Sequence, residues 1–162
     1  ASAFSACRAA MSEHSATIEW RRTTPAFSYR TYNRSHAWRF DSGVEVPGRA
    51  SPANVPSTLA QAPGVDPEEG FVAAISSCHM LWFLHVACTH KFIVDRYSDH
   101  AAGVLEKDRD GGMAITRVTL RPAVVFSGAS PAREQLAELH EEAHKQCFIA
   151  NSVKTEIVIE PR

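Results

Sequence analysis

The chain has 162 residues, of which 44% are apolar and 22% are charged, and its formal net charge is −1. This length and composition are typical of a soluble globular chain that can bury a hydrophobic core. Because no block of Lys and Arg stands out, we expect no nucleic-acid partner and no membrane partner.

The first ten residues, ASAFSACRAA, are small and weakly polar. They lack the long apolar run of a secretory signal. We therefore expect residues 1–14 to be a tail, disordered or non-native, and residues 15–162 to form a single domain. Without a signal we expect a reducing, cytoplasmic setting, where cysteines are more often packed or reactive than joined in structural disulfides.

Residues 15–46 favour β structure. Aromatic and β-branched side chains lie between turn signals in segments 14–22, 27–32 and 36–40, and Val44–Val46 follows an Asp-Ser-Gly turn. This pattern predicts an N-terminal β-meander. Residues 47–65 hold four prolines and predict a long irregular loop, of a kind that is often functional.

A long helix follows. Asp66 is a good N-cap, Pro67 suits the first helical position, and Asp66 with Glu69 forms a pattern similar to a capping box. We expect the helix to run from there to about Thr89. It is apolar almost all round, which predicts a central, buried helix. Serines and histidines interrupt it, which favours a buried helix over a membrane span.

The remaining elements predict an α+β fold. A short strand covers residues 92–94, and a hairpin with a Gly-rich turn covers residues 101–126, with Pro122 marking a bend or an edge. A second helix begins at Ser130 and Pro131, and an alternating strand closes the chain at residues 153–159.

The four cysteines show neither a CxxC pattern nor zinc-ribbon spacing. Cys78 lies in the middle of the long helix, and Cys147 lies at or just past the end of the second helix. A buried cysteine is usually a small apolar side chain, so composition alone favours packing for both, and core packing for Cys88. His140 and His144 have a spacing that can bind metal, but their helix is amphipathic, so we predict surface histidines and no metal site.

The stretches DPEEGFVAAISSCHM and HKQCFIANSVKTEI resemble the OsmC/Ohr family, the osmotically inducible and organic hydroperoxide resistance proteins. The family pattern is an [N/D]-P-E helix start with a Cys ten residues after the Glu, and a second Cys near the end of a later helix. Residues 15 to 161 follow the same order of elements. The resemblance implies an OsmC-like fold with a long central helix and an intertwined homodimer.

The resemblance also implies a thiol peroxidase without a cofactor. Cys78, as a thiolate, would attack an organic hydroperoxide and become a sulfenic acid, and Cys147 would condense with it to a disulfide. An external dithiol, in this family often a lipoyl-bearing protein, would then restore both thiols. Apolar residues favour a bulky organic substrate, with pocket candidates Phe71, Met80, Trp82, Phe83 and Phe148.

A thiolate in an apolar helix needs a nearby positive charge. In the family an Arg held by the Glu of the P-E motif supplies it; Glu68 matches that Glu. Arg34 matches the hydroperoxide-resistance branch and is favoured, while Arg49 matches the OsmC branch. Because ten helical residues span about 15 Å and end about 80° off-face, either the helix breaks near Gly70 or Glu68 serves the Cys78 of a partner chain. The second option fits the implied homodimer.

Two other functions stay open from the sequence. One is a non-catalytic dimeric protein that keeps the fold and binds a hydrophobic ligand. The other is a metal-binding protein that uses cysteine and histidine.

Overall fold

The computed structural model describes residues 11–56 and 61–162. The chain divides into two compact units, one ending at Pro67 and one running from Glu68 to Arg162. Residues 1–10 of the predicted tail lie outside the described residues, and the single-domain boundary stays a prediction.

The first unit contains an antiparallel sheet in the order β1-β2-β3. Its strands are β1 (Ala16–Glu19), β2 (His36–Phe40) and β3 (Glu45–Gly48). Gly43 lies in the β2–β3 turn with φ +83°, a left-handed conformation that glycine adopts without steric cost. A single turn of 3-10 helix, Pro52–Asn54, lies in the proline-rich loop. The N-terminal meander predicted from the sequence is therefore present.

One predicted strand of that meander is wrong. Residues 27–32 form a turn, in which the backbone N–H groups of Thr31 and Tyr32 both donate to the Ser28 carbonyl at 3.0 Å. The Ser28 N–H donates in turn to the Thr31 hydroxyl at 3.1 Å. Ser and Thr side chains that bond nearby backbone groups compete with a sheet ladder, which explains the difference.

The second unit begins with the first turn of the long helix and carries two sheets. Strands β4 and β7 pair antiparallel, and a second sheet has the order β5-β6-β8, with β6 and β8 parallel. The elements are α1 (Pro67–Thr89), β4 (Ile93–Asp99), β5 (Ala102–Lys107), β6 (Met113–Leu120), β7 (Pro122–Ser127), α2 (Arg133–Gln146), α3 (Phe148–Asn151) and β8 (Glu156–Ile159). Pro122 opens β7, so the second arm of the predicted hairpin is divided into strands of two different sheets.

Helix α1 contributes to both hydrophobic clusters of this unit. In the first cluster Phe83, Val86 and Ala87 pack against Leu139 and Ala143 of α2. In the second, Ile75 packs against Val118 and Leu120 of β6. The helix is thus the element that connects the α2 side of the unit to its three-stranded sheet.

The prediction that α1 is buried on all sides is wrong within the single chain. Leu81 is 60% exposed, and Cys88, predicted as core, is exposed as well. Among the described residues α1 is the one helix long and apolar enough to cross a membrane, a test that the core helix of a soluble protein also passes. Its exposed face consists of Ala73, Ala74, Ser77, Leu81, His85 and Cys88.

Candidate active site

The second unit brings Cys78 and Cys147 together. Cys78 lies in the middle of α1 and is partly exposed, whereas the Cys147 side chain is fully buried. The backbone of Cys147 connects α2 to α3, because its N–H donates to the His144 carbonyl at 3.2 Å and its carbonyl accepts from Asn151 at 3.0 Å. Both cysteines are free thiols, and their side chains are hydrogen-bonded to each other.

The two thiols differ in their environments. Burial and, to a smaller extent, the hydrogen bond to Cys78 raise the pKa of Cys147 to about 11, while the backbone N–H groups of Ala150 and Ile149 act in the opposite direction. Cys147 is therefore protonated at neutral pH, and its S–H is the donor to the Cys78 sulfur. The pair thus consists of an accessible acceptor sulfur and a buried, protonated donor.

Aromatic side chains lie next to this pair. Trp82 follows Cys78 by one helical turn, and its ring contacts Phe148 edge-on with the centroids 5.3 Å apart. Phe148 follows Cys147 directly and is 68% exposed. Phe83, another predicted pocket residue, is instead fully buried in the core cluster and cannot line an accessible pocket.

Glu68 lies in the first turn of α1 and is half-buried. Because α1 is continuous from Pro67 to Thr89, the less favoured alternative, a helix break near Gly70, is wrong. Ten residues of unbroken helix place Glu68 about 15 Å along the axis from the Cys78 of its own chain. The partner-chain alternative for Glu68 stays a prediction.

The two candidate arginines belong to the first unit. The Arg34 guanidinium donates to the carbonyls of Tyr29 at 2.8 Å and Tyr32 at 2.9 Å, and it lies 3.8 Å from the centroid of the Tyr32 ring. Arg49 directly follows β3, is half-buried, and donates its backbone N–H to the Val65 carbonyl at 3.1 Å. The choice between Arg34 and Arg49 stays a prediction.

His140 is not the surface residue that the sequence predicts. It is 2% exposed, and its Nδ1 lies 3.0 Å from Nε2 of His79, which is 1% exposed. Burial lowers the pKa of His79 to about 4 and that of His140 to about 3, so both rings are neutral at pH 7. Among the residues that the structure describes, no group of three His, Cys, Asp or Glu side chains is placed to hold a metal ion.

Comparison with known proteins assigns this chain to a family. The family model described as OsmC-like protein matches residues 60–162. The chain belongs to the OsmC-like family. A search of curated proteins gives no match for it.

Solved structures agree with this assignment. An OsmC-like protein of unknown function from Vibrio cholerae, VCA0330, is 50% identical, with a TM-score of 0.89 over 94% of this chain and 100% of that one. The organic hydroperoxide resistance protein OhrB of Bacillus subtilis is 23% identical, with a TM-score of 0.69 over 94% and 100% of the two chains. An organic hydroperoxide resistance protein OsmC from Legionella pneumophila is 16% identical, with a TM-score of 0.66 over 94% and 96%. At these identities the last two show the fold, and the predicted α+β OsmC-like fold is confirmed.

The His79–His140 pair is the part of this OsmC-like site that sequence reasoning missed. A signal was available, because His79 shares its spacing with Ile75 and Phe83, and His140 shares its spacing with Ala143 and Cys147. Positions three and four apart on a helix form one face, so both histidines fall on buried stripes.

Proposed function

We propose that this OsmC-like protein is a thiol-dependent peroxidase that reduces organic hydroperoxides through Cys78 and Cys147. The observation that carries the proposal is the asymmetric pair, in which the buried Cys147 thiol donates to the partly exposed Cys78 sulfur. Of these two thiols a solute can reach only Cys78, and the Cys147 thiol is already in contact with it.

The reaction has two steps within the chain. The Cys78 thiolate attacks the terminal oxygen of the hydroperoxide, the O–O bond breaks, and the leaving alkoxide takes a proton to give an alcohol and a Cys78 sulfenic acid. Cys147 then forms an S–S bond to Cys78, the S–O bond breaks, and the Cys147 proton leaves with the hydroxide as water. An external dithiol, for which we propose a lipoyl protein, reduces the disulfide by exchange.

The surroundings of the pair favour an organic substrate over hydrogen peroxide. The exposed apolar surface of Leu81 and Phe148, with Trp82 beside it, can hold an alkyl or aryl group next to the Cys78 sulfur. Three of the similar structures carry the name organic hydroperoxide resistance protein.

The proposal includes a homodimer in the cytoplasm. Glu68 cannot reach the Cys78 of its own chain along a continuous helix, and one face of α1, which includes Leu81, is exposed in the single chain. In the proposed dimer Glu68 and an arginine, Arg34 in preference to Arg49, stabilise the Cys78 thiolate across the interface.

Mass spectrometry after one equivalent of cumene hydroperoxide tests the function. The reduced protein is expected to lose two thiols and to yield a peptide crosslinked between Cys78 and Cys147, because these sulfurs are already in contact. The crosslink should form without any added catalyst or metal.

Two variants control this experiment. Cys88→Ser removes an exposed thiol from the same helix and should leave the crosslink unchanged. Cys147→Ser should stop the reaction at a Cys78 sulfenic acid that dimedone traps. A wild-type protein that accumulates sulfenic or sulfinic acid on Cys78 while Cys147 stays free would contradict the resolving role.

A second candidate function is non-catalytic binding of a hydrophobic ligand. The exposed Leu81 and Phe148 favour it, because such surface also suits a ligand that does not react. Equal, negligible consumption of cumene hydroperoxide by the wild type and by Cys78→Ser would favour binding over catalysis.

A further inference from the structure

The packing between α1 and α2 contains a buried polar contact in apolar surroundings. Phe83, Val86 and Ala87 of α1 meet Leu139 and Ala143 of α2 through apolar atoms. Within the same packing, Nε2 of His79 and Nδ1 of His140 form a hydrogen bond of 3.0 Å. The His140 ring also stacks on the Phe83 ring, with the centroids 4.2 Å apart.

This contact is costly to bury. A neutral imidazole has two ring nitrogens, and the shared bond uses one from each ring. The other two, Nδ1 of His79 and Nε2 of His140, are buried without a hydrogen-bond partner among the residues that the structure describes. Each such group costs about 1–3 kcal/mol. Two apolar side chains of similar size would avoid that cost, so stability alone does not account for the pair.

The position of the pair relates it to the cysteines. His79 is the neighbour of Cys78 on α1, and Cys147 follows His140 by seven residues on the α2 side. Seven helical residues turn through about 700°, so His140 and Cys147 lie within about 20° of one another on the helix face and about 10.5 Å apart along the axis. His140 and Cys147 therefore lie on one face of the α2 side, and each of them contacts one of two neighbouring residues of α1, His79 and Cys78.

An apolar interface alone defines this register weakly. A slip of one residue shifts a helix by about 1.5 Å and turns each side chain by about 100°, which would move Cys147 off Cys78. With the histidine pair present, the same slip would leave two further ring nitrogens buried and unbonded. Buried polar contacts can fix register in this way even when they lower stability.

We propose that His79 and His140 are positioning residues for disulfide formation, and that their hydrogen bond holds α2 on α1 in the register at which Cys147 meets Cys78. The proposal deepens the proposed function, since it concerns the resolving step of that same site. It assigns neither histidine a contact with the substrate.

The equilibrium of the thiol pair with glutathione tests this positioning. In that reaction glutathione disulfide oxidises Cys78 and Cys147 to the intramolecular disulfide and is reduced to two glutathione molecules. The variant His79→Leu/His140→Leu is expected to lower this equilibrium constant about tenfold, because the thiols spend less time in contact. Its free energy of unfolding should be equal to or higher than that of the wild type, since no polar group is left buried.

A conservative variant separates positioning from bulk. In His79→Gln/His140→Asn the side-chain amides replace Nε2 and Nδ1 in place, so the hydrogen bond survives and the equilibrium constant should stay within about twofold of wild type. The reversed variant, His79→Asn/His140→Gln, moves both amides and should resemble the leucine pair. The comparison of the two amide variants tests the positioning even if the leucine pair does not fold. Equal constants for the two amide variants, or a wild-type constant for the leucine pair, would overturn the proposal.

The glutathione equilibrium involves no peroxide, so it distinguishes the two proposals. A wild type that is inert to cumene hydroperoxide but has a tenfold higher constant than the leucine pair would reject the peroxidase and support the positioning. If the wild type forms the crosslink with peroxide but has the same equilibrium constant with glutathione as the leucine pair, the peroxidase is supported and the positioning is rejected.

Discussion

Cys78→Ser is expected to lower the consumption of cumene hydroperoxide by at least about a thousandfold when a dithiol is present in excess. A serine hydroxyl is not ionised near neutral pH, and neither Cys147 nor any other described residue next to the site offers an equivalent accessible nucleophile. The fully buried Cys147, with its pKa raised to about 11, cannot take over the attack. The measurement is the initial rate of peroxide loss with dihydrolipoamide as reductant.

Cys88→Ser is the matched control for this loss. Cys88 is on the same helix, ten residues after Cys78, and is exposed, so it tests whether any accessible thiol on α1 supports the reaction. It should retain the wild-type rate. A Cys78→Ser protein that keeps more than about a tenth of the wild-type rate, or a Cys88→Ser protein that loses activity instead, would reject Cys78 as the attacking thiol.

The fold was predictable where local signals decide it. Helix α1 begins at Pro67 and ends at Thr89, as the Asp66-Pro67 start and the length of the apolar run indicate. The failures occur where side chains compete for the backbone or where sheets are assigned. Ser28 and Thr31 close a turn where a strand was predicted. Arg121 separates β6 from β7, which the apolar run over residues 113–126 predicted as one arm of a hairpin.

The candidate site was only partly predictable. Periodicity cannot show that Cys78 and Cys147 meet, because the contact joins distant parts of the chain; the family resemblance supplied that expectation. The histidine pair was missed for a different reason. The helix prediction for α2 used the periodicity of apolar residues, in which a histidine is classed as polar, so His140 was assigned to the surface. Its spacing to Cys147 nevertheless places it on the buried face.

The same pair leads to an expected loss of stability in acid. In the unfolded chain both histidines take up protons below a pH of about 6.5. In the folded chain burial keeps His79 neutral down to its pKa of about 4 and His140 down to about 3. The unfolded state therefore binds more protons in this window, and the stability present above pH 6.5 is lost as the pH falls towards 4.

Other titratable groups contribute to these pKa values. The field of His144 helps burial to lower the pKa of His79, and the field of Asp99 on β4 opposes it; the field of His79 helps to lower the pKa of His140. Because the rings are 1% and 2% exposed, solvent screens the effect little. Each proton taken up by the unfolded state alone contributes about 1.4 kcal/mol per pH unit, and titration is partial at both ends of the window, so the two histidines together should account for about 5 kcal/mol between pH 6.5 and pH 4.

Urea unfolding at pH 7.0, 5.5 and 4.5 measures this loss, and His79→Gln/His140→Asn is the matched control. The amide pair keeps the hydrogen bond but cannot take up protons, so its free energy of unfolding should fall less steeply than that of the wild type. Carboxylates elsewhere in the chain titrate in both proteins and cancel in the comparison. If the two proteins lose stability in parallel from pH 7.0 to 4.5, the histidines are not held neutral in the folded state. The buried, hydrogen-bonded pair would then be the wrong description of the α1–α2 contact.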